Sequence, residues 1–264
     1  MTQSLIDNRL PGDPAVSVIL AVRNGAATLP ACVASVTDQR DVELELLLVD
    51  GASEDETWAW VRAHSDVFAW AVSEPDSGIY EAWNKALAKA RGRYVCFLGA
   101  DDRLASPKVL STLLSASGNT ADLVSCEAVF DLADGRAARR TGGPWNWDIL
   151  RRRMCVEHRG MLHRRALFER HGLFDPGYRI AGDYDFLLRC GADLAAVHVP
   201  VPLVIAGVTG VSREQRLRRL NERRRAQVTN GVQPAAVANA RFLYDLARQF
   251  AHVWLNRLRR RGRG

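Results

Sequence analysis

The chain has 264 residues, 47% of them hydrophobic and 25% charged, a globular composition with length for one substantial α/β core and a small appendage. Its five cysteines, at 32, 96, 126, 155 and 190, lie far apart with no CxxC pair, which argues against a zinc site or disulfide framework and for reduced cytosolic thiols. The net charge of +6 is uneven: from residue 213 onward fourteen arginines face only Glu214, Glu222 and Asp245, an excess of eleven that leaves the preceding 212 residues at −5. An acidic body thus carries a cationic tail.

In chain order, MTQSLIDNRLPGDP lacks the basic region and apolar run of a signal peptide. Val16 to Val22 is a short apolar run bounded by Pro14 and Asn24-Gly25, and reads as a buried strand. A helix over 28–38 follows, with Thr28 as its N-cap. Leu44 to Val49 reads as a second strand ending at Asp50-Gly51. Ser53 and Glu56 then have the spacing of a capping box that opens a helix to Ala63. Phe68 to Val72 is a third strand, Ile79 to Ala90 a helix stopped by Gly92, and Tyr94 to Leu98 a fourth strand ending in Gly99-Ala100-Asp101-Asp102. Leu194 to Ser212 carries no Asp, Glu, Lys or Arg, but His198, Pro200, Pro202, Gly207 and Gly210 interrupt it. A buried strand and loop is therefore preferred to a membrane-spanning helix.

Alternating strands and helices predict a parallel sheet with crossover helices, whose ligands sit beyond the carboxyl ends of the strands. The polar residues fall at those ends: Asn24, Asp50, and the Asp101–Asp102 pair. Adjacent carboxylates suit a hard divalent cation that also binds substrate phosphates. Taken alone, the pair is more often the cap of a turn than a metal site, and Asp50-Gly51 is as readily an ordinary strand end.

Taken together, SVILAVRNGAATL, LLLVDGASEDET, SEPDSGIYEAWNKALAKARGRYVCFLGADD and HRGMLHRRALFERHGLFDPGYRIAGDYDFLLRCG resemble the inverting glycosyltransferases of family two. The resemblance covers residues 16–212. It implies a GT-A type α/β fold: a mixed, mostly parallel sheet flanked by helices, with a Rossmann-like nucleotide-binding half over 16–100 and an acceptor half over 101–212. A basic helical extension over 213–264 would complete the chain. By the same resemblance, Ala21, Val22, Asn24 and Asp50 contact the nucleobase, and Asp76, Gly78 and Asn84 line the donor. Asp101 stands near the ribose or a Mg²⁺ or Mn²⁺ ion, Asp102 binds that ion, and Asp183 is the catalytic base. Chemically, the departing nucleoside diphosphate needs a cation, and the attacking hydroxyl must lose a proton to a carboxylate.

The departures are specific. Gly99 stands where the family often has the first aspartate of a DxD, Gly182 replaces an acid before Asp183, and Ala21 and Arg23 replace proline and tyrosine. His158 lies at a family histidine position that suits the acceptor or phosphate region, or a structural role. Trp145 and Trp147 are either acceptor-stacking faces or packing anchors. Gly210 and Ser212 resemble a donor-contacting segment. Gln215 to Arg219 lacks the tryptophan of the processive QxxRW motif, which favours single addition.

Over 241–263, Phe242, Leu246, Phe250, Val253 and Leu258 recur at helical spacing among arginines. Such a helix either lies on an anionic membrane or packs on the body. The expected partners are a nucleotide sugar and a glycan or lipid-linked acceptor, in cell-surface polysaccharide or glycolipid assembly. The expected location is the cytoplasm, at the inner face of the membrane if the helix binds lipid. A sugar nucleotidyltransferase is the alternative enzyme class, though RNGAATLPAC lacks its lysine and dense glycines. A nucleic-acid-binding protein is a third reading, prompted by the arginines and opposed by the acidic body.

Overall fold

The computed structural model describes residues 4–9, 11–130, 139–207 and 215–261, and the side chains of these up to residue 248. A ten-stranded sheet carries the fold. Its first half consists of β1 (Ser4–Asp7), β2 (Val16–Val22), β3 (Leu44–Asp50), β4 (Trp70–Ser73) and β5 (Tyr94–Gly99), with α1 (Leu29–Thr37), α2 (Thr57–Ala63) and α3 (Ile79–Leu87) between them. The second half adds β6 (Arg103–Leu104), α4 (Val109–Ala116), β7 (Leu123–Phe130), β8 (Arg139–Thr141), α5 (Trp147–Leu150), β9 (Leu162–Arg164), α6 (Ala166–His171), α7 (Gly182–Cys190) and β10 (Ala196–Ala206). Two further helices follow, α8 (Arg216–Thr229) and α9 (Ala235–Arg261).

Strand order is β1-β4-β3-β2-β5-β9-β7-β10-β6, with β8 paired to β7. β4, β3, β2 and β5 are parallel, as the strand–helix rhythm predicted; β9 runs antiparallel between β5 and β7, and β7 and β10 are again parallel. Helices cover both faces, so β2 and β3 read as continuous apolar runs rather than alternating ones. The alternation is nevertheless real: Val16, Val18 and Leu20 enter one core cluster, Ile19 the other. Burying each such side chain contributes roughly 1.5–3 kcal/mol.

One local expectation is corrected. Ser53 and Glu56 form no capping box, since α2 begins at Thr57 and the Ser53 hydroxyl is given to Asp50. Thr28 is the N-cap of α1, as expected, though its hydroxyl points back to the Gly25 carbonyl and makes no capping bond. The long helix of the tail starts at Ala235, just after Pro234, and contains the periodic stretch from residue 241. The expected strand within Leu194 to Ser212 is β10, and no helix among the described residues is long and apolar enough to cross a membrane. Residues 208–214, with Gly210, Ser212 and the 212/213 boundary, lie outside the described residues.

Candidate active site

The parallel strands deliver their carboxyl ends to one edge. After β2 the chain turns at Asn24, whose φ of 52° lies in the left-handed region that asparagine tolerates. Its Oδ1 accepts from the Glu54 N–H at 2.8 Å, and its own N–H donates to Ser53 Oγ at 2.7 Å. The loops after β2 and β3 are thereby laced together. Val22 is buried and Ala21 half-buried beside them. Asp50 is fully buried; its carboxylate accepts from Ser73 Oγ at 2.6 Å and from the N–H and hydroxyl of Ser53. These bonds tie the ends of β3 and β4 at the floor of the edge.

Asp76 sits between two glycines. Its Oδ1 accepts from the Gly78 N–H at 2.8 Å, while a Cβ added to Gly51 would come 2.6 Å from its Oδ2. Gly78 opens α3 with φ 141°, and the Arg179 guanidinium occupies the space where a Cβ would be. A side chain there would meet both strain and a clash. Asn84, expected to line the donor, is engaged elsewhere: its amide donates to the Phe174 carbonyl at 2.8 Å and accepts from the Phe174 N–H at 3.1 Å. That two-point clasp fixes the loop ahead of α7.

The two acids after β5 are placed differently. Asp102 is 2% exposed; Oδ2 accepts from the Gly99 N–H at 2.9 Å, and Oδ1 from the Gly207 N–H at 3.0 Å. Arg159 lies 3.6 Å from Oδ1 and donates through Nε to Glu157 at 2.8 Å, with its guanidinium 4.8 Å from the Phe130 ring. Burial pushes the Asp102 carboxyl up to about 6, against the pull of Arg159 and the two backbone donors. Asp101 is half-buried and packs against Gly207, where a Cβ would collide with its carboxylate. At Gly99 a Cβ would lie 3.0 Å from Asp102 Oδ2 and 3.1 Å from Asp101 Oδ1. Both carboxylates fold over Gly99, so a third acid there would crowd like charges.

Among the described residues, no three His, Cys, Asp or Glu side chains gather as a cation cage. A cation beside a diphosphate needs only one or two protein carboxylates, the phosphates and water supplying the rest. The half-buried Asp101 fits that demand. Asp102, expected with Asp101 on the metal, accepts one backbone N–H on each oxygen and keeps further lone pairs.

Asp183 lies in the first turn of α7. Its Oδ1 accepts from the Tyr184 N–H at 2.8 Å and from the Tyr80 hydroxyl at 3.2 Å. Tyr80 belongs to α3, so this contact joins the start of α3 to the start of α7. The aromatic ring fits because residue 182 is glycine: a Cβ there would come 2.8 Å from the ring. Burial raises the Asp183 carboxyl to about 6, partly countered by the Tyr184 N–H and the phenol, while burial keeps Tyr80 protonated and donating. Asp185 faces away, its carboxylate accepting from Arg189 Nε at 3.1 Å and from the Asn230 amide at 2.8 Å.

His158 is 6% exposed, stacked 5.2 Å from Trp83 and 5.4 Å from Phe97, and burial lowers it to about 4. It is a neutral member of the aromatic core. Trp145 and Trp147 are half-buried and pack against the same core. Sequence reasoning passed over Tyr80, Arg159 and the serines that hold Asp50. Tyr80 carried a legible signal, an aromatic two residues after Gly78 in the stretch expected to line the donor; Arg159 carried none beyond its adjacency to His158.

The model of the family described as glycosyl transferase family 2 matches residues 17–172. The chain is 33% identical over 202 residues to a PGL/p-HBAD biosynthesis glycosyltransferase of Mycobacterium tuberculosis, covering 73% of this chain and 76% of that protein. It is 31% identical over 205 residues to the O-antigen biosynthesis protein RfbC of Myxococcus xanthus, covering 74% of this chain and 16% of RfbC. Among solved structures, S. aureus TarS 1–349 in complex with UDP-GlcNAc superposes with a TM-score of 0.67 at 18% identity, over 89% of this chain and 72% of that one. The mannosyltransferase PcManGT from Pyrobaculum calidifontis, in complex with GDP-Man and Mn²⁺, superposes with a TM-score of 0.65 at 21% identity, over 90% and 72%. At these identities the likeness to solved structures establishes the GT-A fold alone.

Proposed function

Because the chain belongs to glycosyl transferase family 2, we propose that it transfers a sugar, with inversion, from a nucleoside-diphosphate donor to a hydroxyl acceptor, with Asp183 as the base. One observation carries the reading: Asp183, raised to about 6, is held by Tyr80 at 3.2 Å beside the segment that carries Asp76 and Gly78. Its carboxylate takes the hydroxyl proton as the acceptor oxygen attacks the anomeric carbon. The bond from that carbon to the diphosphate oxygen breaks in the same displacement. The edge built from Ala21, Val22, Asn24 and Asp50 receives the nucleoside, and Asp76 and Gly78 border the donor.

Asp101 would hold Mg²⁺ or Mn²⁺, with Asp102 and Arg159 keeping the turn in place. Such an ion, when bound, offsets the charge growing on the departing diphosphate. The names of the mycobacterial and Myxococcus relatives support a role in glycolipid or cell-surface polysaccharide assembly. A screen of nucleotide sugars by thermal shift tests the donor side. One donor should raise Tm with Mg²⁺ or Mn²⁺ and not with EDTA; at a hundredfold excess over Kd the gain is about 2.7 kcal/mol. A flat response to every nucleotide sugar, with and without metal, would count against the reading.

The tail supports a membrane-facing role. On α9, Phe242 and Leu246 are half-buried, with Arg224 of α8 lying 5.8 Å from the Phe242 ring and Asp245 paired to Arg223. Val237, Leu243 and Tyr244 are 52%, 61% and 59% exposed. One face packs on α8 and another remains for an anionic lipid surface. Full-length protein should co-sediment with anionic liposomes, and a chain ending at Val232 should not; equal binding by both would remove the membrane role.

A further inference from the structure

We propose that Glu222, in the C-terminal extension, is a positioning residue for the catalytic base. It is 7% exposed, and its carboxylate accepts three successive backbone N–H groups: Arg179 at 3.1 Å, Ile180 at 2.8 Å and Ala181 at 3.0 Å. These residues lead directly into α7 and Asp183. The first-turn amides of a helix and those just before it have no partner within the helix. Here an acid from a distant helix supplies one. Glu222 is also the only acid within α8, whose sequence is RLRRLNERRRAQVT, so its burial among arginines serves a specific contact rather than solubility.

The rest of α8 holds the same region from outside the loop. Arg225 pairs with Asp175 at 2.9 Å and lies 4.3 Å from the Tyr178 ring; the Gln227 amide donates to the Arg152 carbonyl at 2.9 Å; the Asn230 amide donates to Asp185 at 2.8 Å. Of these, Glu222 alone grips the backbone between Tyr178 and Asp183. The same backbone carries Arg179 to its place against Gly78. The extension therefore sets where the base stands relative to the donor segment, and is not merely an attachment to the body. Removing the carboxylate leaves three amides without an acceptor and frees the loop; displacements near 1 Å at a reacting group can cost about a hundredfold in rate.

This inference rests on Asp183 being the base, and the test separates the two. Full-length Glu222→Ala and Glu222→Gln are compared with Asn230→Ala and Asp183→Asn for kcat, donor Kd and Tm. Glu222→Ala should lose about 10- to 100-fold in kcat with donor Kd unchanged. Glu222→Gln, which keeps one accepting oxygen, should recover part of that loss. Asn230→Ala should lower Tm yet keep kcat within about twofold, since its bonds lie beyond the loop. Should Glu222→Ala not fold, Glu222→Gln carries the comparison. Wild-type kcat in the folded Glu222 variants, or an equal fall in Asn230→Ala at matched Tm, would overturn the positioning role. Full turnover by Asp183→Asn would instead overturn the base assignment.

Discussion

Asp183→Asn is expected to keep the fold and donor binding while lowering transfer by about 10²- to 10⁴-fold, the range of a positioned general base. Asparagine preserves the acceptor for the Tyr184 N–H and the Tyr80 hydroxyl but cannot take a proton. Because burial lifts this carboxyl to about 6, kcat/KM of the wild type should rise through pH 6 and then level off, the base being active only when ionised. The stability linkage has the opposite sense. A carboxyl whose folded-state value lies above its unfolded value near 4 binds more protons in the folded chain between those limits. Its contribution thus favours the fold as pH falls from about 6 to 4 and opposes it at neutral pH. Asp183→Asn should then unfold at a higher temperature than wild type at pH 7.5, function and stability pulling apart at one residue. Turnover and Tm across pH measure both; unchanged turnover would remove Asp183 from the chemistry.

Asp101→Ala and Asp102→Ala should separate two roles that adjacency in sequence conceals. Loss of the half-buried Asp101 should weaken donor binding in Mg²⁺ or Mn²⁺ to the level seen in EDTA, with a small change in Tm. Loss of Asp102 leaves the Gly99 and Gly207 amides unpaired and takes a carboxylate away from Arg159. Breaking such a buried charge pair costs on the order of 3 kcal/mol, a fall in Tm of roughly 10 °C. Titration calorimetry with a nucleoside diphosphate, with and without metal, distinguishes the outcomes. Donor affinity indifferent to EDTA and to Asp101→Ala would exclude the metal role.

The contrast between these two acids reflects what a sequence can carry. Both follow the same apolar strand, so periodicity and turn chemistry assign them to one edge and no further. Which one is buried depends on Gly207 and Arg159, residues far away along the chain that reach Asp102 only after β10 and the segment before β9 are in place. His158 is a parallel case: the sequence leaves a site role and a structural role both open, and only the fold closes Trp83, Phe97 and Phe174 around the ring. The capping-box spacing of Ser53 and Glu56 failed because a buried carboxylate at Asp50 competed for the serine more strongly than a helix end did.

By itself the sequence determined the parallel half of the sheet, its bounding turns, the edge where Asn24, Asp50 and Asp101 gather, and the family. Those follow from local rules: apolar runs with a strand's length, crossover helices between them, and polar residues where strands end. Only the tertiary structure decided that Asp102 is anchored, that Tyr80 reaches Asp183, and that Glu222 of the arginine-rich tail holds the backbone before Asp183. Each of those is a contact between residues separated by many turns of chain, or a burial set by such contacts. Hydrogen-bond geometry and desolvation arise only when the elements pack, and no periodicity within a segment encodes them.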